Sequence, residues 1–203
     1  MPDFHYEDKV RGLVCGIDEA GRGPLAGPVV AAAVLLRREA MPDRLHEILN
    51  DSKKMSAKAR DEAFALLPIC ASIGVGEASP QEIDQVNILQ ATFLAMSRAF
   101  DALTKALGQP IDWALIDGNR PPKLPCQIRC LVGGDGLSFS IAAASVVAKV
   151  TRDRIMQDLA RQFPLYGWER NAAYPTADHR AAILAHGLTP HHRRSFKPCK
   201  LAE

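Results

Sequence analysis

Residues 12–36 read GLVCGIDEAGRGPLAGPVVAAAVLL, and this stretch decides the class of fold. Residues 12–18 form a short apolar run that ends in an acid. Residues 28–36 are apolar and partly β-branched, so both segments are predicted to be buried strands. The segment between them, residues 21–27, holds three glycines and a proline, which is typical of a turn or loop. Two strands with a glycine-rich connection predict an antiparallel pair.

The rest of the chain alternates strand and helix patterns. Three more strands are predicted, at residues 71–77, 112–117 and 127–132. A helix is predicted at residues 55–67, with Ser56 as its N-cap. A second helical region begins at Ser79 with the capping box Ser79–Glu82, and a long helix follows with the apolar residues Ile88, Phe93, Met96, Phe100 and Leu103. Two further helices are predicted at residues 138–163 and 176–186. The order β β α β α α β β α α predicts a mixed α/β domain. Its sheet begins antiparallel and ends with strands that are joined through helices.

Length and composition exclude several classes of protein. The chain has 203 residues, 47% hydrophobic and 24% charged, which predicts one globular domain over residues 1–203. The longest apolar stretch, residues 26–36, is too short to span a bilayer, which needs about 18 residues or more. The first twelve residues carry mixed charge and resemble no signal peptide. We therefore expect no membrane contact and a cytoplasmic location.

Positive charge gathers at the end of a chain whose net charge is only +2. Residues 149–203 hold ten Lys or Arg and five Asp or Glu, interleaved with Trp168, Tyr174 and the segment 191–196, HHRRSF. Cations between aromatic rings suit nucleic acid, because phosphates pair with the cations and bases or sugars stack on the rings. A solvated basic face, with the aromatic residues in the core, fits this composition equally well.

Four acidic residues follow predicted strands. Asp18 and Glu19 follow the first strand, Asp117 the fourth and Asp135 the fifth. In open sheets, sites lie beyond the strand ends, so neighbouring strands would bring the four carboxylates together. Like charges at contact distance repel, and a cation removes that conflict. Carboxylates suit Mg²⁺ or Mn²⁺, so the pattern predicts one or two such ions. The alternative is that each acid caps a helix or closes a turn.

The glycine-rich segment, GRGPLAG at residues 21–27, matches neither standard phosphate loop. Its third glycine comes one residue late for a dinucleotide fingerprint, and Gly27 is followed by Pro28 rather than Lys. The segment can be a plain turn. It can also be a loop that lets a ligand approach the backbone closely.

Other polar residues give weaker signals. Ser145 and Lys149 lie four apart on the long helix and share a face, which suits a phosphate or plain solvation. Cys126 and Cys130 have no partner pair nearby, so a zinc site is disfavoured. Cys15, Cys70 and Cys126 lie in or beside apolar runs and are interpreted as buried hydrophobic residues.

Taken in order, several segments resemble the bacterial ribonuclease HII family, the type 2 ribonucleases H. The matching stretches are GIDEAGRGPLAGPVVAAAV from Gly16, DSKKMSAKAR from Asp51, IDGN from Ile116, GDGLSFSIAAASVVAKVTRD from Gly134, and YPTADH and HRRSF near the end. The resemblance implies an RNase H-like fold, with a five-stranded mixed sheet flanked by helices. It also implies a catalytic core at about residues 10–165 and a helical, substrate-contacting C-terminal part at about 166–203.

The resemblance also implies the roles of individual residues. The catalytic and metal-binding acids of the family fall on Asp18, Glu19, Asp117 and Asp135. Its substrate contacts fall on Gly21, Arg22, Gly23, Lys53, Ser145, Lys149 and Tyr174. The family commonly has Gly before this tyrosine, whereas the chain has Ala173, which we expect to alter the loop without abolishing activity. The C-terminal end is short, so no appended docking segment is expected.

The activity implied by the resemblance is cleavage of RNA paired with DNA. It extends to nicking on the 5′ side of single ribonucleotides in duplex DNA, the first step of ribonucleotide excision. The products would be a 3′-hydroxyl and a 5′-phosphate, formed by hydrolysis with two Mg²⁺ or Mn²⁺ ions. The partners would be RNA/DNA hybrids and ribonucleotide-containing DNA, bound by a monomer.

Two alternatives remain at the level of sequence. A non-catalytic nucleic-acid-binding domain of the same fold would use its basic end and leave the acids as caps. The four intact acids argue against it, because carboxylates beside phosphates weaken binding. A type 3 enzyme that prefers long hybrids would carry an extra N-terminal domain, and Asp18 comes too early to leave room for one.

Overall fold

A computed structural model describes residues 1–200 of the chain. Its centre is one five-stranded sheet with the spatial order β3-β2-β1-β4-β5. The strands are β1 Val14–Ala20, β2 Val29–Leu36, β3 Ala71–Ala78, β4 Trp113–Asp117 and β5 Gln127–Leu131. Strands β1, β2 and β3 pair antiparallel, whereas β4 and β5 continue the sheet parallel to β1. The mixed sheet of the RNase H-like fold is thereby confirmed, as is the antiparallel pair at its start.

The helices cover both faces of the sheet. They are α1 Asp43–Ile48, α2 Ala57–Cys70, α3 Pro80–Leu107, α4 Phe139–Gln162, α5 Trp168–Asn171, α6 Ala177–His186 and α7 Lys197–Lys200. The predicted Ser56 cap and Ser79–Glu82 capping box are both present. The short helices α1, α5 and α7 were not predicted, because six or fewer residues show no readable period.

The two helices predicted between the third and fourth strands form the single element α3. Asn87 interrupts it with non-helical backbone angles, φ 69° and ψ 164°. The Asn87 side-chain oxygen accepts the backbone N–H groups of Leu89 and Gln90, as an N-cap does. The second part of α3 therefore begins with its own cap.

Helix α4 packs against one face of the sheet and α3 against the other. Gly16 lets α4 approach β1 closely, since a Cβ atom there would lie 2.1 Å from the backbone carbon of Ser140. The high density of Ala and Ser at the start of α4 has the same effect, and residues 139–148 are all buried. This close contact brings Ser145 of α4 next to the β1 acids.

A third apolar cluster joins the C-terminal part to the β1–β2 connection. Leu25 and Ala26 from that connection pack with Met156, Trp168 and Ile183. Trp168 is 1% exposed and belongs to this core. Of the two aromatic residues that the sequence left between nucleic-acid contact and core packing, Trp168 and Tyr174, the first is therefore a core residue. No helix within residues 1–200 is long and apolar enough to cross a membrane.

Candidate active site

The four predicted acids lie at one end of the sheet, although their positions on the strands differ from the prediction. Asp18 and Glu19 lie inside β1 rather than after it, and Asp117 is the last residue of β4. Only Asp135 follows its strand, in a 3₁₀ turn after β5. The first strand begins and ends two residues later than predicted, because its antiparallel pairing with β2 extends to Ala20.

Parallel pairing brings β1 and β4 into register next to the acids. Ile17 lies opposite Ile116, so Asp18 and Asp117 occupy the next position of each strand. Successive side chains of a strand point to opposite faces. Asp18 therefore faces α4 and Glu19 faces α3. We call Asp18, Glu19, Asp117 and Asp135 the acid cluster.

Asp18 is the most deeply buried member of the acid cluster, with 3% exposure. One carboxylate oxygen accepts the Glu19 backbone N–H at 2.7 Å, and the Ser145 hydroxyl also donates to the carboxylate. Burial, followed by the charges of Glu19 and Asp117, raises the pKa of Asp18 well above its usual value. The fold thus holds a carboxylate where its negative charge is unfavourable.

Glu19 and Asp135 are affected in the same way. Burial raises the pKa of Glu19, and the charge of Asp117 adds to the effect, whereas Arg22 at 3.4 Å opposes it. Burial and then the charge of Asp117 raise the pKa of Asp135. Asp117 holds the turn after β5, since its Oδ1 accepts the Gly134 N–H at 2.7 Å.

A fifth carboxylate, Asp51, was not singled out from the sequence. It shares a hydrogen bond with Asp135 and accepts the Lys53 backbone N–H at 2.9 Å. Its other oxygen pairs with Lys54 at 3.4 Å. Asp51 stands in a loop with no strand to orient it, so no periodic signal could have placed it at the acid cluster.

The acid cluster fits a hard divalent cation by its chemistry. Its carboxylates repel one another electrostatically, which a bound cation would relieve. Carboxylate oxygens are also the ligands that Mg²⁺ and Mn²⁺ prefer. Within residues 1–200, no three Asp, Glu, His or Cys side chains are arranged to hold one ion together. Asp18 and Asp117 each accept one backbone N–H through Oδ1, which leaves their second carboxylate oxygens for a cation.

A cavity of about 420 Å³ opens beside the acid cluster. Glu19 lines it, together with all seven residues predicted as substrate contacts, namely Gly21, Arg22, Gly23, Lys53, Ser145, Lys149 and Tyr174. These residues come from the β1–β2 connection, the 51–54 loop, α4 and the C-terminal part. The tertiary structure therefore brings together four segments that lie far apart in the sequence.

Three polar residues of the cavity have different surroundings. The Lys53 side chain is exposed. Partial desolvation lowers its pKa, but the negative charges of Asp18, Asp135, Asp51 and Asp117 outweigh this effect, so the pKa of Lys53 is raised. Lys149 pairs with Asp153 at 2.7 Å and is a quarter exposed. Ser145 is 3% exposed, and its hydroxyl lies 2.7 Å from that of Ser52. Ser145 thus links Asp18 to the 51–54 loop, and the two cations provide positive charge at the opening.

Tyr174 is the exposed aromatic residue of the cavity, with 46% exposure. Its ring lies beside Gly23, where a Cβ atom would be 3.5 Å from ring carbon Cε1. At Gly21, by contrast, the buried Arg152 side chain occupies the space that a Cβ atom would take. Of Gly21 and Gly23, only Gly23 therefore has the Tyr174 ring next to the position of its missing side chain.

Two further features of the site lack a sequence signal. Arg60 of α2 lines the cavity and donates to the carbonyl oxygens of Ser52 and Met55, which holds the 51–54 loop in shape. A second cavity of about 350 Å³ shares Glu19 and Arg22 with the first and also includes Asp117. Glu19 and Arg22 thus lie between the two cavities.

The sheet order and the acid cluster define a nucleic-acid hydrolase with the RNase H-like fold. The sequence profile of the family described as Ribonuclease HII matches residues 15–199. The Ribonuclease HII of Paramagnetospirillum magneticum is 62% identical over 198 residues, which cover 98% of this chain and 96% of that protein. The Ribonuclease HII of Rhodospirillum rubrum is 57% identical over 204 residues, covering 100% and 92%. The chain belongs to the ribonuclease HII family.

Solved structures agree with this membership. The ribonuclease H2 of Pyrococcus horikoshii superposes with a TM-score of 0.75 at 25% identity, covering 94% of this chain and 97% of that one. A Bst-RNase HIII determined with Mn²⁺ shares the fold, with a TM-score of 0.74 at 20% identity over 94% of this chain and 68% of that one. The chain is a type 2 ribonuclease H, an endonuclease that acts on RNA/DNA hybrids, and its family depends on divalent metal ions.

Proposed function

We propose that the enzyme also nicks duplex DNA on the 5′ side of a single embedded ribonucleotide, leaving a 3′-hydroxyl and a 5′-phosphate. The observation that carries this proposal is the pair formed by Gly23 and the exposed Tyr174 ring in a cavity that Glu19 also lines. A sugar held between backbone and ring would share this cavity with Glu19. We call Gly21, Arg22, Gly23 and Tyr174 the ribose reader.

The ribose reader supplies selectivity without reading bases. The 2′-hydroxyl distinguishes RNA from DNA, and backbone without a side chain can lie against it. The Tyr174 ring would pack on the next sugar, where a deoxyribose would fit and a second hydroxyl would clash or lose contact. The reader therefore recognises an RNA-to-DNA step rather than a base sequence.

The acid cluster would supply the chemistry. Asp18, Glu19, Asp117 and Asp135 would hold two Mg²⁺ or Mn²⁺ ions, with Asp18 and Asp135 as direct ligands. Bound there, the ions would lower the pKa of a water and stabilise the charge on the leaving 3′-oxygen. Lys53, Lys149 and Arg22 would pair with phosphates of the substrate. Ser145 would keep Asp18 oriented.

The two predicted parts of the chain would act as one unit, and as a monomer. The Leu25 N–H donates to the Ala173 carbonyl at 2.8 Å, and the Gly27 N–H donates to the His191 carbonyl at 2.9 Å. These bonds join the core to the C-terminal part beside the ribose reader. None of the five cysteines forms a disulfide, which suits work on DNA in the reducing cytoplasm.

The test uses labelled duplexes, one all DNA, one with a single ribonucleotide and one RNA/DNA hybrid. Each is incubated with the enzyme and Mg²⁺, Mn²⁺ or EDTA. We expect a metal-dependent nick 5′ to the ribonucleotide, cleavage of the hybrid, and no cleavage of DNA. Asp18→Asn should remove cleavage and keep binding, whereas Asp101→Asn on the exposed side of α3 should change neither.

Each failure has its own meaning. Cleavage of the hybrid with an intact single-ribonucleotide duplex would overturn the proposed extension of the activity. Full turnover by the Asp18→Asn enzyme would remove Asp18 from the metal site. Binding without any cleavage, in any metal, would favour the non-catalytic alternative.

A further inference from the structure

Two arginines are buried beneath the ribose reader. Arg152 of α4 is 1% exposed and Arg193, just before α7, is 0% exposed. Within residues 1–200, neither forms an ion pair with a carboxylate. Burial lowers the pKa of both guanidinium groups, that of Arg193 to about 9 with a contribution from the charge of Arg152. Burying charge in this way is unfavourable, so the contacts of these two groups need an explanation.

Arg193 holds the β1–β2 connection at both ends. Its guanidinium donates to the carbonyl oxygens of Gly21 at 2.6 Å, Arg22 at 2.9 Å and Gly27 at 3.0 Å. The planar fork of an arginine can reach three acceptors at once, which the single ammonium of a lysine cannot do in the same way. Arg193 therefore sets the shape of the glycine loop, defined here as residues 21–28.

Arg152 joins the glycine loop to the segment that carries Tyr174. Its guanidinium donates to the carbonyl oxygens of Ala26 and Pro28 in the loop and to that of Ala172, two residues before Tyr174, each at 3.2 Å. One side chain thus ties the glycine loop to the segment that precedes Tyr174. A change in its position would alter the distance between Gly23 and Tyr174.

The sequence of the glycine loop depends on Arg152. Gly21 has a φ of +94°, and a Cβ atom there would lie 2.0 Å from Arg152 Nε. Only glycine leaves room for the guanidinium and adopts this backbone without strain. The first glycine of the GRG segment is therefore explained by the arginine beneath it.

We propose that Arg152 and Arg193 are positioning residues, which hold the glycine loop and Tyr174 at the separation needed to select a ribose followed by a deoxyribose. Apolar residues of similar volume often stabilise a fold at least as well as buried charges. Both guanidinium groups instead donate to backbone carbonyls of the glycine loop, and Arg152 also to that of Ala172, so their contacts determine the position of these backbone segments. This inference rests on the proposed nicking of single ribonucleotides.

The test compares Arg193→Lys and Arg152→Lys with the wild-type enzyme. For each, kcat/KM is measured on the single-ribonucleotide duplex and on the RNA/DNA hybrid, and the ratio of the two values is the readout. This ratio does not depend on the concentration of folded enzyme, so partial unfolding does not change it. The control is Arg161→Lys, on the same helix as Arg152 but three-quarters exposed and paired with Asp158.

We expect both lysine variants to lower the ratio by about tenfold to a hundredfold, because small misplacements of positioning groups have effects of this size. The loss should lie mainly in kcat on the single-ribonucleotide duplex. Arg161→Lys should leave the ratio unchanged.

Lysine variants that are less stable but keep the wild-type ratio would overturn the inference and leave both arginines purely structural. If Arg193→Lys does not fold, Arg152→Lys carries the same test, because it removes ties to the same loop. A wild-type enzyme that leaves the single-ribonucleotide duplex intact would instead overturn the proposed function.

Discussion

The acid cluster and the ribose reader lie side by side but are held in place by opposite means. The acid cluster consists of side chains on strand ends and a turn, and its members raise one another's pKa. In the ribose reader, the buried Arg193 holds the carbonyl groups of Gly21 and Arg22. The buried Arg152 holds the neighbouring carbonyl groups of Ala26, Pro28 and Ala172. Negative charge is concentrated at the acid cluster, where a cation would bind. Positive charge lies beneath the glycine loop, where it holds the backbone in a defined conformation. These buried charges thus lie at the acid cluster and beneath the ribose reader, the two places where the proposed function needs them.

The largest expected effect tests the acid cluster through Asp18→Asn. We expect no measurable cleavage, together with a gain in unfolding free energy at pH 7 in EDTA, because burial and the neighbouring acids disfavour the charged carboxylate that the amide replaces. Denaturant unfolding and the cleavage assay measure the two quantities. Asp101→Asn should change the stability by less than about 0.5 kcal/mol. A strongly destabilised Asp18→Asn protein would contradict the view that this charge is held against stability.

The next effect tests the ribose reader through Tyr174→Ala. Loss of a ring that packs on a sugar should lower kcat/KM on the single-ribonucleotide duplex by about tenfold to a hundredfold, in line with the contribution of aromatic stacking. Cleavage of the hybrid should fall less. Tyr174→Phe keeps the ring and serves as the control. Equal losses on both substrates would mean that Tyr174 supports binding in general rather than the RNA-to-DNA step.

A pH experiment tests the histidines below Tyr174. The Thr189 N–H donates to His192 Nδ1 at 2.9 Å, and His192 Nε2 lies 3.2 Å from His179 Nε2, which also accepts the Trp168 N–H at 3.0 Å. His179 Nδ1 lies 3.0 Å from the Tyr174 carbonyl oxygen. These bonds are all satisfied only when both rings are neutral. Burial, followed by the charges of His179 and His191, lowers the pKa of His192 to about 4.

Because this pKa lies below that of an unfolded histidine, the unfolded state binds more protons between pH 6.5 and 4. Stability is therefore lost as the pH falls through this range, by on the order of 3 kcal/mol from His192. The raised pKa values of the acid cluster have the opposite effect, because they increase the stability of the folded state as the pH falls. This contribution is the same in the wild type and in the histidine variant. Unfolding free energies at several pH values should therefore show a smaller acid-side loss in His192→Asn than in the wild type. Parallel curves for the two proteins would rule out His192 as the source.

The smallest effect concerns Ala173, where the resemblance to the family predicts a glycine. Ala173 is fully buried with a φ of 64°, a left-handed backbone that strains any residue with a Cβ atom by about 1–2 kcal/mol. Ala173→Gly relieves this strain but loses a buried methyl group and gains chain entropy in the unfolded state. We expect a change within about 1 kcal/mol.

Ala143→Gly, at a buried position of α4, has no strain to relieve and should cost about 2 kcal/mol. The two variants are compared by denaturant unfolding. An equal loss of stability would show that Ala173 carries no strain.

The sequence by itself determined the strands, the main helix caps and the residue types of the acid cluster. Alternation, apolar runs and capping boxes are local, so they can be detected without knowledge of the fold. Strand bounds were correct to within two residues, and all five strands were predicted. The resemblance to the family added Lys53, and it decided between a substrate contact and a core position for Tyr174, which the pattern of aromatic residues and cations had left open.

Only the tertiary structure decided which charges meet. Asp51 joins Asp135 through a loop, and Arg193 reaches Gly21 across 172 positions of the chain. Sequence patterns carry no signal for such contacts, because they depend on how α4 and the C-terminal part close over the β1–β2 connection. The same packing decided the role of Gly21, whose missing side chain makes room for Arg152 rather than for a ligand. Local periodicity therefore places residues on elements, and long-range packing determines what each residue touches.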